Sequence, residues 1–283
     1  MLDTLTVVLP LDHPESAEIH GGAIGATDQS GKVEWSNLRR RPFLGSYETR
    51  TFARSSGNGV ASMGSIKLHG SAAKFLQGHN VFGTDDMPGL VTEWATRICR
   101  EAEVLPTTEN VDAWLAGHFE VQRADITHSL RLRAPSEVRE WLRAMETHVR
   151  MKFRGPGAAQ PGSLLYGRGS EYWSLLLYDK LRELQSRQKG HALPKNLPYR
   201  EELLSFAAGL LRVELRLLSK ELKRQELSSG TEWIGTATPR ALHAKHLGRL
   251  EMPEFIDLPD DIEQNLPQHL RVTYSLHRKG VDT

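Results

Sequence analysis

The sequence predicts an α+β fold: a central, mainly antiparallel β-sheet flanked by helices. Three observations predict it. Several segments alternate apolar and polar residues with the period of two that a half-buried strand requires. Others space apolar residues three and four apart, which makes one stripe along a helix. No regular βα alternation with phosphate-loop glycines runs along the chain, and no repeat of fixed period.

The elements follow in order. Residues 2–9 (LDTLTVVL) alternate imperfectly and open as a strand. In SIKLH (65–69), Ile66 and Leu68 face one way while Ser65, Lys67 and His69 face the other. Val91, Trp94, Ala95 and Ile98 mark a helix over 91–102. FEVQRADITHSLRLR (119–133) is a strand with Arg123, Asp125 and Thr127 on one face and Ala124, Ile126 and His128 on the other. Pro135 and Ser136 start a helix whose stripe is Val138, Trp141, Leu142, Met145 and Val149. GPGAAQPG (155–162) is a flexible loop. SEYWSLLLYDKL (170–181) is a strand placing Tyr172, Ser174, Leu176, Tyr178 and Lys180 on one face. Residues 201–208 are helical, and LLRVELRLL (210–218) alternates again with Arg212, Glu214 and Arg216 on one side. A helix over 218–227 closes the series.

Composition bounds the function. The 283 residues are 39% hydrophobic and 25% charged, ordinary for a folded soluble protein. No run approaches the ~18 apolar residues of a membrane span. Asp3 and the lack of a basic start make the N-terminus a poor signal peptide. The single cysteine, Cys99, forms no internal disulfide or cysteine zinc site and fits a small core residue in a reducing cytoplasm. The net charge of +1 hides an asymmetry: residues 121–225 carry 20 Lys/Arg against 11 Asp/Glu, while 251–267 carry six acids and three prolines. A basic middle is the footprint of a polyanion-binding surface, or simply a solvated face. The acidic stretch fits an extended arm.

The polar strand faces bring His69, Asp125, Tyr178 with Lys180, and Glu214 into view. If those faces coincide, the set suits phosphodiester chemistry. Carboxylates and an imidazole hold a divalent metal, a tyrosine hydroxyl attacks phosphorus, and Lys and Arg neutralise developing charge. The same pattern also fits the wet side of a one-sided sheet. His128 lies three residues from Asp125 and therefore on the opposite strand face, as a core or second-layer histidine. His243 and His246 could share a helix face but lack a third ligand. Arg39–Arg40–Arg41 before Pro42 fits a solvated loop.

SAAKFLQGHNVFG (71–83) resembles a segment of the filamentous-phage replication initiators, the gene II protein family. QRADIT (122–127) with RAP (133–135), GSEYWSLLLYDKLRELQ (169–185) and SFAAGLLRVELRL (205–217) resemble further family blocks in the same order, as does MLDTLTVVLP at the start. The resemblance implies a fold related to the histidine–hydrophobic–histidine (HUH) initiator nucleases. It also implies a rolling-circle initiator that nicks one strand of supercoiled or single-stranded origin DNA and rejoins it later. In between, the protein stays on the 5′ phosphate through tyrosine, with Mg²⁺ or Mn²⁺ as cofactor. Tyr178 and Lys180 match the family's Tyr-x-Lys, with Tyr172 as a second tyrosine; Arg123 and Asp125 match Arg-x-Asp; Arg212 and Glu214 match Arg-x-Glu. The expected metal ligands are Asp125 and Glu214, with His69 as a third that rests on strand parity alone. The implied DNA contacts are Arg123, Arg212, His79 and Asn80, joined by Arg154 and Arg168 beside the 155–162 loop.

The two ligand histidines of the wider histidine–hydrophobic–histidine superfamily have no clean counterpart, so Asp125 and Glu214 would substitute. The implied partners are phage or plasmid origin DNA and the host helicase and polymerase, in the bacterial cytoplasm, with no membrane. The nicking domain spans 1–227, as two halves near 1–118 and 119–227. Residues 228–283 are a linker and the start of a C-terminal segment cut short at TYSLHRKGVD (273–282), as in a truncated piece or a short member. Two other functions stay open. One is a non-catalytic regulator that grips the origin. The other is an RNA-binding sheet, which calls for aromatics on adjacent central strands; only Tyr172 and Tyr178 qualify, both on one strand.

Overall fold

The computed structural model describes residues 1–11, 20–27, 30, 33–46, 50–56, 64–186, 191–235 and 237–251. In chain order these give β1 (Leu2–Leu11), β2 (His20–Thr27), β3 (Val33–Leu44), β4 (Arg50–Ser56), β5 (Gly64–Ser71), α1 (Ala72–Gln77), α2 (Met87–Glu101), α3 (Thr108–Leu115), β6 (Glu120–Arg131) and α4 (Pro135–His148). There follow β7 (Arg150–Met151), β8 (Gly155–Pro156), β9 (Ala158–Gln160), β10 (Ser163–Tyr166), β11 (Trp173–Asp179), α5 (Lys180–Leu184), α6 (Arg200–Ala207), β12 (Leu210–Leu218), α7 (Ser219–Arg224), α8 (Ala237–Leu247) and β13 (Leu250–Glu251). The acid-rich stretch beyond Glu251 and the 273–282 motif lie outside the described residues.

Ten strands form one sheet in the order β2-β3-β4-β5-β1-β6-β12-β11-β10-β9. Every pairing in it is antiparallel. The α+β expectation, an antiparallel sheet flanked by helices, therefore holds. One sheet face is the main core. Leu5 and Val7 of β1, Ile126 of β6, Val213 and Leu215 of β12 and Leu175 and Leu177 of β11 pack there against Trp94, Trp114, Val138 and Leu222 of the helices. Each large apolar side chain buried this way stabilises the fold by about 1.5–3 kcal/mol. Cys99 is buried in this core, and burial pushes its thiol up to about 12.

The opposite face carries the polar residues, and it is covered too. A second apolar cluster of Val81, Leu184, Leu193, Leu197, Leu203 and Ala207 joins the segment after α1, α5, the 191–199 loop and α6 into a lid. The reading of this face as a wet surface is thereby corrected. Asp125 is 1% exposed and Lys180 is fully buried, because the lid brings its own apolar contacts and does not need them from the strands.

Three local expectations also change. The 170–181 strand ends at Asp179, whose side chain accepts the Arg182 backbone N–H at 3.1 Å and starts α5. Residues 155–162 are not a loose loop, since β9 and β10 pair as a hairpin through Pro161-Gly162. Gly162 sits at φ 81, which a two-residue turn requires and a side chain resists. The Arg39–Arg41 run belongs to β3 and not to a loop.

Candidate active site

Cross-strand register stacks the polar face into rows, because residues directly opposite in an antiparallel pair share a face. The rows are Ser174–Arg216–Asp125, Leu176–Glu214–Thr127 and Tyr178–Arg212–Ser129. Asp125 and Glu214 are thus one row apart on neighbouring strands, and Tyr178 is one row from Glu214. A bulge in β1 completes the group. Leu2 opposes Ile126 and Leu5 opposes Ala124, so Asp3 and Thr4 together stand opposite Asp125 alone. Asp3 enters the site this way.

Asp3, Asn80, Asp125, Tyr178, Glu214 and Arg216 line a cleft of about 1280 Å³. Arg123 grips Asp125 with two parallel bonds, Nε to Oδ1 at 2.8 Å and Nη2 to Oδ2 at 2.5 Å. Arg216 bridges the carboxylates, at 3.4 Å from Asp125 Oδ2 and 3.1 Å from Glu214 Oε1. The Tyr178 hydroxyl donates to Glu214 Oε2 at 3.5 Å. Burial, reinforced by the charges of Asp125 and Asp3, pushes the Glu214 carboxyl up to about 7. Burial, with the Glu214 charge behind it, likewise raises Tyr178 well above the usual phenol.

The QGHN block ties lid to sheet. The Asn80 amide donates to Asp3 Oδ2 at 2.6 Å and accepts from Lys180 Nζ at 2.7 Å. Lys180 also binds Glu183 Oε2 at 2.5 Å. Burial brings the Lys180 ammonium down to about 8 even though Glu183 opposes the shift. Arg212, fully buried, donates to the carbonyls of Asn80 at 3.1 Å and Val81 at 3.0 Å and to Thr127 Oγ1 at 3.2 Å. His79 accepts the Val81 N–H at Nδ1, and burial, then the charge of Lys180, lowers its pKa.

Other candidates stand elsewhere. His69 is on the same face but in the row Phe52–His69–Thr6–Arg123, two strands from β6, or about 10 Å at ~4.8 Å per strand. Its Nδ1 meets Thr6 Oγ1 at 2.8 Å. Tyr172 precedes β11 and lies about 20 Å along the strand direction from Tyr178 at ~3.3 Å per residue. It is 42% exposed, with Lys220 and Arg224 over its ring. The shared strand face thus does not bring the two tyrosines together. Arg154 does not line the cleft. Its guanidinium lies 4.3 Å from the ring centroid of core residue Trp173, whose side chain belongs to the other sheet face. Arg168 is exposed at the β10–β11 turn. His128 is on the face opposite Asp125, as parity requires, with its ring 5.7 Å from that of His243. His243 and His246 are buried: His243 Nε2 lies 3.2 Å from the Val213 carbonyl, and His246 Nε2 lies 3.5 Å from Glu221 Oε1, with burial lowering the pKa of both imidazoles.

Among the described residues, no three His, Cys, Asp or Glu side chains are already arranged around a common ion position. The donor chemistry nevertheless fits a hard divalent cation. Asp125, Glu214 and Asp3 are oxygen donors facing one cleft, the hard ligands such a cation takes.

A tyrosine, carboxylates and guanidinium groups thus gather in one cleft on one face of an antiparallel sheet. The family of the replication-associated protein of phage gene II, in its N-terminal part, matches residues 1–236. The chain belongs to this family, as its resemblance to the gene II proteins implied. It is 30% identical over 284 residues to the gene II replication-associated protein of Enterobacteria phage I2-2, covering 99% of this chain and 80% of that protein. It is 29% identical over 179 residues to the protein of the same name from Enterobacteria phage M13, covering 56% of this chain and 40% of the relative. The solved structure of a rolling circle replication initiator protein from Geobacillus stearothermophilus is similar with a TM-score of 0.40 and 11% identity, over 94% of this chain and 91% of that one.

Proposed function

We propose that this protein initiates rolling-circle replication by nicking one strand of phage or plasmid origin DNA, with Tyr178 as nucleophile. The observation that carries the reading is the Tyr178 hydroxyl at 3.5 Å from Glu214, inside the cleft that also holds Asp125 and Asp3. In the proposed step Tyr178 Oη forms a bond to phosphorus and the bond from phosphorus to the 3′ oxygen breaks. Solvent water takes up the phenolic proton and supplies one to the departing 3′ oxygen, which leaves as a hydroxyl. The 5′ phosphotyrosine keeps the bond energy, so the reverse step rejoins a strand.

Asp125 and Glu214 are the residues that would hold Mg²⁺ or Mn²⁺, with His69 further along the face. The ion would supply polarisation of a phosphate oxygen. Arg216, 34% exposed at its side chain, is placed to exchange its carboxylate partners for phosphate. Lys180, Asn80 and Arg212 act from behind, by fixing the lid over Tyr178. The proposal takes residues 1–227 as the nicking unit, with Trp233 and α8 packed onto it and the remainder to 283 as the start of a C-terminal segment, and the bacterial cytoplasm as the site of action. There the free 3′ hydroxyl would serve the host helicase and polymerase. Among the described residues no helix is long and apolar enough to cross a membrane.

The bidentate Arg123–Asp125 pair favours a second reading, a regulator that grips the origin without cutting. One experiment separates the two. Incubation with single-stranded origin DNA and Mg²⁺ or Mn²⁺ should give a DNA-linked band on a denaturing gel. The band should vanish in Tyr178→Phe, while DNA affinity stays near wild type. No band in the wild-type protein supports the regulator. A band that survives in Tyr178→Phe and is lost in Tyr172→Phe moves the nucleophile to Tyr172.

A further inference from the structure

Two large aromatic side chains stand exposed at the outer edge of the lid. Phe82, in the QGHNVFG block, is 48% exposed, and Phe206 of α6 is 40% exposed. Their ring centroids are 4.6 Å apart with planes tilted by 52°. The Arg131 guanidinium lies 4.5 Å from the Phe206 ring centroid and is pinned there, its Nη2 donating to the Phe206 carbonyl at 2.7 Å. His79 meets Phe82 edge-on at 6.2 Å. The group is built: the Phe82 carbonyl accepts from Gln77 Nε2 at 2.9 Å, and the preceding Val81 carbonyl from buried Arg212 at 3.0 Å. Paired exposed aromatic rings beside a cation offer a stacking surface with a charge at its edge.

Its place in the fold narrows the occupant. Arg131 pairs with Leu210, one row beyond Tyr178–Arg212–Ser129, or about 7 Å further along the strands at ~3.3 Å per residue. Arg131 on β6 is also two strands from Tyr178 on β11, so the platform edge lies about 12 Å from the nucleophile at ~4.8 Å per strand, beside the 79–82 segment whose Asn80 lines the cleft. A polyanion crossing that rim would lay a phosphate near Arg131 and an unstacked base on the rings. We infer that Phe82, Phe206 and Arg131 form a stacking platform for a nucleobase of single-stranded DNA a short way along the strand from the cut position. The platform holds the strand by its base face and reads no sequence. This rests on the DNA-nicking reading and adds where the strand is gripped outside the cleft.

The test is binding without metal, so that no cutting is required. Anisotropy of a fluorescein-labelled oligodeoxythymidylate gives the affinity, and an oligonucleotide of the same length built from abasic sites supplies phosphates without bases. Wild type should prefer the base-bearing strand. Phe82→Ala and Phe206→Ala should each weaken it by about 5- to 150-fold, the range for loss of one base–aromatic stack, and leave the abasic strand unaffected. Phe82→Tyr should keep wild-type affinity, since it retains the ring face. Thermal unfolding of each variant shows whether the fold is intact. The inference is overturned if wild type binds the two strands equally, if the alanine variants bind oligodeoxythymidylate like wild type, or if both strands weaken together. Failure of the covalent-adduct assay leaves this measurement standing, and the reverse also holds, so the two ideas fail separately.

Discussion

Asn80→Ala isolates the bond between lid and sheet. The side chain is 2% exposed and satisfies two opposite ions at once: its amide N–H serves Asp3 at 2.6 Å and its amide oxygen serves Lys180 at 2.7 Å. Hydrogen bonds to charged groups contribute about 1.5–3 kcal/mol each. Asp3 keeps Ser71 Oγ at 2.6 Å and Lys180 keeps Glu183, so the loss falls at the lower end of the sum, about 3 kcal/mol. That is a large part of the ~5–15 kcal/mol that holds a typical domain. The backbone carbonyl that accepts from Arg212 survives the substitution, which confines the change to the amide. Urea unfolding followed by circular dichroism at neutral pH measures it. A second arm uses Lys180→Met. Removing the buried ammonium takes away the group that Asn80→Ala leaves unpaired, so the double variant should lose at least ~1 kcal/mol less than the two single losses combined. A single-variant loss below ~1 kcal/mol, or strict additivity, would refute the idea that Asn80 couples lid to sheet.

Gly162→Ala should destabilise by more than ~1 kcal/mol, because φ is 81 and the added Cβ would come within 2.5 Å of Arg182 Cδ. Thermal unfolding checks it. Arg154→Ala should lower stability by about 1 kcal/mol through its lost contact with Trp173 and leave DNA affinity alone, whereas Arg168→Ala should weaken binding to every sequence alike; unfolding and anisotropy separate the two. Glu214→Gln should change how stability depends on pH. The folded state raises this carboxyl from 4.5 to about 7, so it binds the proton more tightly than the unfolded chain does. The resulting stabilisation is full below pH 4.5 and is lost as pH rises through about 7, some 3 kcal/mol in all. The variant should lack that decline in denaturant titrations run across the same window.

Much of the frame is written in short-range pattern. β12 runs Leu210–Leu218 as its alternation dictates, and β6 carries Arg123, Asp125 and Thr127 on one face with Ala124 and Ile126 on the other. Three parts of the site were not legible. Asp3 stands opposite Asp125 only because β1 bulges, and a bulge shows in pairing, not in one strand's periodicity. The sole hint was a carboxylate inside an otherwise apolar run. Lys180 looked like the next strand residue after Tyr178, but Asp179 caps a helix there and turns the ammonium inward toward Asn80. The hairpin at Pro161-Gly162 reads as loop composition, although Pro followed by Gly is also the signature of a tight turn joining two paired strands.

The lid was illegible for a deeper reason. A polar strand face is buried at a tolerable cost only when each charge meets a partner. Here the partners are largely non-local or carry no sequence signature. Arg212 is satisfied by the backbone carbonyls of Asn80 and Val81, which any residues at those positions would supply. What does carry a signature is the apolar underside of the lid, Leu184, Leu193, Leu197, Leu203 and Ala207, and it sits in segments too short to announce a layer. The result places Tyr178 at 8% exposure between a fixed lid and a fixed sheet. The open approach to its hydroxyl then runs along the cleft wall of Asp3, Asp125, Glu214 and Arg216. On the proposed reading, a phosphate that reaches the tyrosine passes carboxylates that repel it unless Arg216 or a cation stands between them, so the charge balance of that wall would govern entry as well as chemistry.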